Sequence, residues 1–376
     1  MTPSAADGSS VIIQPVASSD LPEVFDLYRR TVRFPPSDRI AEYWQWKFCS
    51  NPCRADIAPF WVCRQDGILV GGIAQMRVVL DIRARPVPAA WAVDFMVDPR
   101  FQHQGLGTRI FDHYRRSNDV AISMGYAPGS ASSRVSRSVG FRGLPPIPYV
   151  FRPLTTRPLT AGLPLGRVWG PALARLSAPV FRRLGRLRAR PAASVRVEEI
   201  SRFTASFDAL WDMVAAEAAV VVRRNHATMN WRYFDNPFHR YRSLVAWDGT
   251  TLAGCVVFKV VRHEAFNFGT IAEIIAPAGA VDVQQYLLVR ALEELETAQV
   301  DIVKSLASAP HLARLLRRAG FRALGPGCDF VVSVAPGLDP ELAAEALDPG
   351  AWYLTKGDCD LDMVPDFLSK TLSLPS

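Results

Sequence analysis

The residues from Gln102 to Gly107 read Q-H-Q-G-L-G and have the composition of an anion-binding turn. An apolar run at 91–97 precedes them and apolar residues at helical spacing follow over 105–117, so the sequence predicts a strand, a glycine turn and a helix. The first N–H groups of a helix lack intrahelical partners and lie at the positive end of its dipole. Because glycine has no Cβ, a bulky anion can approach those amides closely. The stretch therefore predicts a phosphate-binding cradle.

Asp94 is a second candidate functional residue, because it is the only acid in the otherwise apolar run 89–97. Burial disfavours the charged form of a carboxylate and so increases its affinity for protons. A carboxylate with a raised affinity for protons can accept a proton from a bound nucleophile near neutral pH. Asp94 is therefore a candidate general base. The alternative is a carboxylate that only hydrogen-bonds a neighbouring loop.

Neither common nucleotide-binding pattern fits these glycines. A dinucleotide fold needs G-x-G-x-x-G and a nucleoside-triphosphate loop needs G-x-x-x-x-G-K-[ST], whereas Thr108 and Arg109 follow Gly107 and no lysine is near. Together with V-D-P at 97–99, the stretch resembles the Q/R-x-x-G-x-G/A signature of the GCN5-related N-acetyltransferases, the GNAT superfamily.

The resemblance implies an acyl-transfer site that uses acetyl-coenzyme A, or another acyl-coenzyme A, as cosubstrate. In that family the loop amides hold the coenzyme pyrophosphate, and a backbone N–H near the end of the preceding strand polarises the thioester carbonyl. These roles carry over to Val97, Gln102, His103, Gln104, Gly105, Leu106, Gly107 and Thr108. Many members also have a tyrosine that protonates the leaving thiolate, four residues before a G-F pair. That position is Ser136 here, a poor acid, so the general acid stays open between another residue and water.

The chain contains an internal repeat with an offset of about 180 residues. W-K-F-C-S-N-P at 46–52 returns as W-R-Y-F-D-N-P at 231–237, and S-V-G-F-R at 138–142 returns as R-A-G-F-R at 318–322. Each half also predicts a hairpin around an Asp-Gly turn. The repeat and the order of the predicted elements resemble an α+β, mixed-sheet GNAT-like fold in two tandem copies.

The first copy predicts helices at about 20–30, 105–117 and 131–138 and strands at 11–16, 60–64, 68–80, 91–97, 120–123 and 147–152. The predicted organisation is a GNAT-like acyl-coenzyme A-binding domain at 1–155, an Arg/Pro-rich basic linker at 156–192 and a degenerate GNAT-like domain at 193–376. After the strand at 270–277 the second copy lacks Q-x-x-G-x-G, and Asp282 stands where phosphate would approach. We therefore expect the second copy to be a scaffold without its own coenzyme site.

Composition argues against several other classes of protein. No apolar run has the length of a membrane-spanning helix, and the first ten residues lack the pattern of a signal peptide, which favours a cytoplasmic protein. The six cysteines form no C-x-x-C pair and the histidines form no metal set, so no metal is expected. The alternating Asp358, Asp360 and Asp362 predict a solvated acidic edge rather than a calcium loop.

The net charge of +7 is concentrated in one segment, because residues 151–190 contain nine arginines and no Asp, Glu or Lys. This distribution favours a linker over a nucleic-acid-binding face. Apolar residues at spacings of three and four within 168–188 predict a basic amphipathic helix, broken near Pro179. Such a helix either packs onto the domains or contacts an anionic membrane surface, peripherally at the inner membrane.

Together these features predict an acyl-coenzyme A-dependent N-acyltransferase, by default an N-acetyltransferase, that acts on a primary amine of a small molecule. The W-K-F-x-x-N-P motif and the closing W-Y-L-T-K-G-D-C-D-L-D are similar to bacterial GNATs of polysaccharide and surface-glycan pathways, which implies an amino sugar as acceptor. An amine of a peptide or an aminoglycoside is the alternative within enzymes. A non-catalytic coenzyme A-binding scaffold is the alternative outside them.

Overall fold

The computed structural model describes residues 10–32, 34–54, 59–127, 130–157, 195–263, 266–323, 325 and 327–363. They divide into two compact units. The first unit comprises the chain up to Val79 with 87–144 and 329–339, and the second comprises 80–86, 145–328 and the chain from Pro340 onward. Each unit thus takes in a segment from the other half of the sequence.

The first unit is built on a mixed sheet. Its strands are β1 (Val11–Pro15), β2 (Phe60–Gln65), β3 (Ile68–Ile82), β4 (Arg85–Val97), β5 (Ile122–Ala127), β6 (Arg142–Ile147) and β15 (Cys328–Val334). Their order in the sheet is β1-β2-β3-β4-β5-β15-β6. β2 and β3 form an antiparallel hairpin whose turn residues Asp66 and Gly67 both have positive φ, as a two-residue hairpin turn requires. β4 and β5 run parallel.

Four helices accompany this sheet: α1 (Leu21–Thr31), α2 (Ile40–Trp44), α3 (Leu106–Ser117) and α4 (Ser130–Ser138). α2 continues directly into a π-helical turn at Gln45–Cys49. α3 is amphipathic, and its buried residues recur every three or four positions, which places one apolar stripe on the core. That stripe consists of Leu106, Ile110, Phe111 and Tyr114.

The second unit has a mixed sheet of its own. Its strands are β7 (Tyr149–Pro153), β8 (Val195–Ile200), β10 (Tyr241–Asp248), β11 (Thr251–His263), β12 (Phe266–Ile275), β13 (Ile302–Leu306) and β14 (Arg322–Ala323), in the order β14-β7-β13-β12-β11-β10-β8. The short strands β9 (Val220–Val222) and β16 (Trp352–Tyr353) pair in parallel. The helices are α5 (Ser206–Ala216), α6 (His226–Met229), α7 (Val281–Thr297), α8 (Pro310–Arg318) and α9 (Pro340–Leu347), and a π-helical turn at Asn230–Phe234 follows α6.

The closing strands of the two halves are exchanged between the sheets. β7, from the first half of the sequence, pairs with β13 and β14, whereas β15, from the second half, pairs antiparallel with β5. The strand predicted at 147–152 therefore forms, but in the second sheet. For the same reason residues 145–155 lie in the second unit, although the predicted domain boundary assigned them to the first.

Other elements of the first unit also differ from expectation: β4 begins at Arg85 instead of residue 91, and α2 had no predicted counterpart. The strand expected at 120–123 begins at Ile122 and continues to Ala127. β6 has no counterpart among the predicted strands, because its two consecutive prolines lack the N–H groups of a normal ladder. The predicted helix at 168–188 and nearly all of the linker 156–192 lie outside the described residues. Within the described part of the chain, no helix combines the length and apolar character needed to cross a bilayer.

Candidate active site

The glycine turn that was predicted as a phosphate-binding cradle lies at the first turn of α3. Gly105 precedes the helix with a left-handed φ of 77°, and the first intrahelical bond runs from the Arg109 N–H to the Gly105 carbonyl. A Cβ at Gly105 would meet no described atom within 4 Å, so this side of the turn is open. An accessible helix N-terminus beside a glycine is the geometry that binds phosphate groups through backbone N–H donors.

Gly107 serves a packing purpose. A Cβ at this position would lie 3.1 Å from Cζ of Phe95, so any larger residue would displace that ring. Phe95 packs edge-on against Phe111 of α3, with ring centroids 4.7 Å apart. Leu106 is buried in the same core and can offer a ligand only its backbone. The two glycines therefore act differently: one keeps the turn open, and the other lets α3 approach β4.

The outer residues of the turn are tied to the end of β4. The Gln102 side chain donates a hydrogen bond to the Val97 carbonyl at 3.1 Å. His103 has a positive φ of 63°, which helps the chain to reverse before the helix. The exposed side chains in this stretch are Gln102, His103, Gln104 and Thr108. The predicted coenzyme-binding residues thus lie together, from the last residue of β4 to the first turn of α3.

β4 and β5 separate after a short paired stretch. Their parallel pairing covers Ala89–Trp91 and Ile122–Met124. Beyond this point β5 continues along its other edge, where it pairs with β15 up to Ala127. In the described strands the edge of β4 from Ala92 onward thus parts from β5 and opens toward the cradle. An extended ligand can hydrogen-bond such a strand edge in the manner of an added strand.

A change of face along β4 directs Asp94 toward helices α1 and α2. Ala92, Phe95 and Val97 all pack against the core beneath α3, so the alternation of side chains shifts by one position between 92 and 95. The shift occurs at Asp94, whose φ of 49° is uncommon for a residue with a Cβ. Local bulges of this kind re-aim a single side chain. The carboxylate consequently lies on the face opposite α3.

Three side chains from the helical segments donate hydrogen bonds to Asp94. The Tyr28 hydroxyl of α1 lies 2.8 Å from Oδ2, and the Tyr43 hydroxyl of α2 lies 3.2 Å from Oδ1. The Lys47 ammonium lies 3.0 Å from both oxygens and also donates to the Tyr43 hydroxyl at 2.6 Å. Burial, followed by the charge of Asp94, raises the pKa of Tyr28 well above its usual range, so that hydroxyl remains a neutral donor.

The exposure of the two charges differs. The side chain of Lys47 is completely buried, whereas that of Asp94 keeps 11% of its surface exposed. A buried ammonium needs a counter-charge, and Asp94 supplies it. The lysine and the two tyrosines were not predicted as site residues. Asp94 was predicted, and its contacts show a buried ion pair that also accepts hydrogen bonds from two tyrosine hydroxyls.

The position of the missing tyrosine offers no acid in this conformation. Ser136 on α4 is buried, and its hydroxyl donates to the Ser133 carbonyl at 3.1 Å. Tyr126, the other residue considered on sequence grounds, lies on β5 with its ring stacked on Trp91 at 4.7 Å.

The W-x-x-x-x-N-P motif builds the π-helical turn that carries Lys47. Asn51 donates to the Arg77 carbonyl at 3.0 Å and accepts from the Cys53 N–H at 2.8 Å, which closes the turn after the helix. In the second unit Asn236 accepts from the N–H groups of two following residues after the other π-helical turn. The motif is thus mainly structural, and its basic residue is the part that reaches the site.

In the second unit a segment of the chain occupies the corresponding opening. β12 and β13 pair in parallel only over Phe268–Thr270 and Ile302–Lys304. Beyond them, the Gly357 N–H donates to the Ala272 carbonyl at 3.0 Å and the Tyr353 hydroxyl donates to the Ile274 carbonyl at 2.9 Å. On the opposite side Ala307 and Thr355 form an antiparallel bridge. We call residues 353–357 the insert segment; they lie between the two strands.

Buried charges anchor the chain around the insert segment. Arg224 contacts Glu273 on β12 at 3.1 Å and Asp358 at 2.7 Å. Arg232 pairs with Asp362, which also accepts from the Tyr241 hydroxyl. The expectation of a solvated acidic edge at 358–362 was therefore wrong for Asp358 and Asp362, which are both buried. They are buried because cations distant in sequence neutralise them.

Burial shifts the pKa values of several groups in this region, among them Asp358, Lys259 and His239. It raises the pKa of Asp358 to about 6, although Arg224 opposes the shift. It lowers the pKa of Lys259 to about 7 and that of His239 to about 4.

The described residues contain no group of three or more His, Cys, Asp or Glu side chains arranged to hold a metal ion.

Comparison with known proteins identifies the first domain. Residues 13–142 match the family model for the acetyltransferase (GNAT) domain. No curated protein sequence is recognisably similar to the chain. The family resemblance read from the Gln102–Gly107 stretch is therefore confirmed, and the domain is that of an acyltransferase enzyme.

Solved structures share the fold over most of the chain. A GCN5-related N-acetyltransferase from Anabaena variabilis aligns with a TM-score of 0.62 at 14% identity, over 90% of this chain and 75% of that one. The N-myristoyltransferase of Saccharomyces cerevisiae with bound myristoyl-CoA aligns with a TM-score of 0.57 at 15% identity, over 88% and 86%. A GCN5-related N-acetyltransferase from Kribbella flavida gives 0.55 at 14%, over 90% and 74%. At these identities the likeness shows the fold alone, and it confirms the predicted α+β, mixed-sheet GNAT-like class.

Proposed function

Residues 13–142 form a GNAT acetyltransferase domain, and from that premise we propose that the chain is an acyl-coenzyme A-dependent N-acyltransferase, acetyl by default, for a primary amine of a small molecule. The supporting observation is that the open edge of β4 leads directly into the Gly105 turn. A coenzyme with its pyrophosphate on that turn lies extended along the edge and brings its thioester toward Asp94.

In the proposed reaction the amine nitrogen attacks the thioester carbonyl carbon, a C–N bond forms, and the C–S bond then breaks. The Val97 N–H polarises the carbonyl oxygen, and the backbone of 102–108 holds the pyrophosphate. The proton released by the amine passes to Asp94, directly or through water. The coenzyme thiolate takes a proton from water, and Asp94 releases its proton to the solvent, which neutralises the hydroxide and regenerates the carboxylate.

The contacts of Asp94 add one condition to this mechanism. A carboxylate offers about four lone-pair positions, and the four contacts from Tyr28, Tyr43 and Lys47 use them. Asp94 therefore accepts a proton only when one donor moves away. Of these four contacts, the one from Tyr43 is the longest, at 3.2 Å, and is the first candidate to break.

We propose an amino sugar as the acceptor, on the basis of the W-K-F-x-x-N-P motif and the closing segment. An amine of a peptide or an aminoglycoside is the competing acceptor. A non-catalytic coenzyme A-binding scaffold is the candidate from a different class, and the observation that favours it is Ser136, whose hydroxyl is engaged within its own helix.

Release of coenzyme A from acetyl-coenzyme A in the presence of amino sugars, polyamines and peptides, assayed side by side, tests the proposal. Amine-dependent release that identifies one class of acceptor would support it. Tight coenzyme binding without turnover for any amine would favour the scaffold.

The remaining parts of the chain are assigned supporting roles. We propose that 193–376 is a scaffold without a coenzyme site, and the insert segment at 353–357 supports this because it lies between β12 and β13. We also propose that the protein is cytoplasmic and that 168–188 either packs onto the domains or contacts the anionic inner membrane surface. Flotation with anionic vesicles at low and high salt tests the contact, and a protein that stays at the bottom of both gradients would refute it.

A further inference from the structure

Three aromatic rings meet at the point where β4 and β5 separate. Trp91, the last residue of β4 paired with β5, is completely buried and stacks on Tyr126 with ring centroids 4.7 Å apart and planes 23° from parallel. Phe330 of β15 lies 6.0 Å from the Trp91 ring and 5.6 Å from the Tyr126 ring. We call these three rings the aromatic floor.

The strand register explains why the rings meet. Tyr126 and Phe330 are direct partners in the antiparallel pair of β5 and β15, so their side chains share one face of the sheet. Gly125 precedes Tyr126 on β5 and pairs with Val331 of β15. It has no side chain, and a Cβ there would already lie 3.2 Å from Val331. The rings are thus held by backbone pairing as well as by contact, and a close-packed cluster of this kind yields little space without a cost in stability.

We infer that the aromatic floor closes the inner end of the acyl pocket and restricts this enzyme to short acyl groups, of the size of acetyl. The inference rests on the proposed function, because it takes the coenzyme to run from the Gly105 turn along the open edge of β4. Its acyl end then approaches Trp91, where the pairing of β4 and β5 closes the opening. A fatty acyl chain would have to pass between rings that are already in contact.

The inference distinguishes alternatives that the fold leaves open. The yeast N-myristoyltransferase with bound myristoyl-CoA shares this fold at 15% identity, and so do the bacterial N-acetyltransferases. The length of the acyl chain that the site accepts therefore depends on side chains at the inner end of the opening rather than on the fold. In this chain those side chains are two large aromatic residues from neighbouring strands and a third from the second half of the sequence.

Calorimetric binding of S-ethyl-coenzyme A and S-octyl-coenzyme A, which cannot react, tests the inference independently of the acceptor. We expect the wild-type protein to bind the ethyl thioether at least about tenfold more tightly than the octyl thioether. In Trp91→Leu and Phe330→Leu the octyl thioether should gain about fourfold in affinity for each methylene that finds room. Trp211→Leu is the matched control, since Trp211 is also buried and, like Trp91, its indole N–H has no partner among the described residues.

The outcomes distinguish a failure of the aromatic-floor inference from a failure of the proposed function. Equal affinity of the wild-type protein for both thioethers would overturn the aromatic floor and leave the proposed function intact. An unchanged ratio in folded Trp91→Leu and Phe330→Leu would overturn it as well. If neither thioether nor coenzyme A itself binds, the proposed function fails and the inference fails with it. The wild-type comparison decides the matter even where a variant does not fold.

Discussion

The ion pair between Lys47 and Asp94 leads to a prediction in which the two single substitutions have unequal effects. Asp94→Asn removes the carboxylate partner of the Lys47 ammonium, which is completely buried and also contacts the Tyr43 hydroxyl and the rings of Tyr43 and Phe48. Lys47→Met leaves a carboxylate that keeps two tyrosine donors and an exposed fraction of 11%. The first variant therefore contains the more poorly compensated charge.

The free energy of unfolding should fall accordingly. Removing one partner of a buried ion pair costs about 3–5 kcal/mol, and we expect Asp94→Asn in this range. Lys47→Met should cost about 1–3 kcal/mol, the cost of removing one hydrogen-bonding partner of a buried polar group. The double variant Lys47→Met/Asp94→Asn contains no buried charge at this place, so it should cost less than the sum of the two single variants by about 2 kcal/mol. Tyr28→Phe, which removes one neutral donor, should cost about 1 kcal/mol.

Activity provides the second measurement on the same variants. Loss of a general base lowers turnover by about 100-fold to 10,000-fold, so Asp94→Asn should lose turnover while its affinity for acetyl-coenzyme A stays near that of the wild type. In Lys47→Met the acidic limb of the pH profile should move to higher pH, because a carboxylate without its neighbouring cation is easier to protonate. Urea unfolding and initial-rate kinetics measure both effects. Additive stability losses would refute the ion-pair reasoning, and wild-type turnover in a folded Asp94→Asn would make Asp94 purely structural.

Three further predictions concern the cradle and the second unit. Gly105→Asp should lower the affinity for coenzyme A at least about tenfold for each charge-assisted hydrogen bond lost. Gly67→Asp is the matched control, because both glycines have a left-handed φ near 80° and open space around a Cβ. An equal loss of affinity in both variants would refute the cradle. Calorimetric titration of the wild-type protein should give one acyl-coenzyme A per chain, and two would refute the scaffold role of the second domain. Burial lowers the pKa of Lys259 in the folded chain from 10.5 to about 7. Between these two pH values only the unfolded chain holds the proton, so the contribution of Lys259 to stability should rise with pH. The difference in unfolding free energy between the wild type and Lys259→Met should therefore grow in favour of the wild type from pH 7 to 10, and a constant difference would refute this reasoning.

The cradle could be predicted from sequence because its determinants are local. A glycine before a helix and apolar residues on one stripe need no information from distant parts of the chain. Asp94 was also identifiable, as a single acid in an apolar strand. Its partners were not, because Tyr28 and Lys47 lie 66 and 47 residues away, in segments whose sequence gives no sign of a contact with β4. One signal was present: Lys47 and Arg232 occupy the same place in the repeated motif.

The pairing partner of β7 and the burial of Asp358 and Asp362 could not be predicted from the sequence. Alternating apolar residues indicated the strand that forms at Tyr149–Pro153, but pairing with β13 is decided by residues about 150 positions later, which no local pattern encodes. The acids at 358 and 362 read as solvated because charged residues are mostly exposed. Their burial depends on Arg224 and Arg232, more than 100 residues earlier in the chain.

An acid occupies the same position of the separating strand in both units, so its presence there does not by itself indicate a catalytic site. In each unit an acid lies three residues beyond the last parallel pair of the separating strands, Asp94 after Trp91 and Glu273 after Thr270. Each acid contacts a cation and a tyrosine hydroxyl: Lys47 and Tyr28 in one unit, Arg224 and Tyr233 in the other. The difference is what lies against the acid. The insert segment covers Glu273 so closely that a Cβ at Gly357 would be 2.6 Å from its Oε1, and only 2% of that side chain is exposed. A buried ion pair thus contacts this strand in both units, and we propose that its acid acts on a substrate only where the opening beside the strand still admits one.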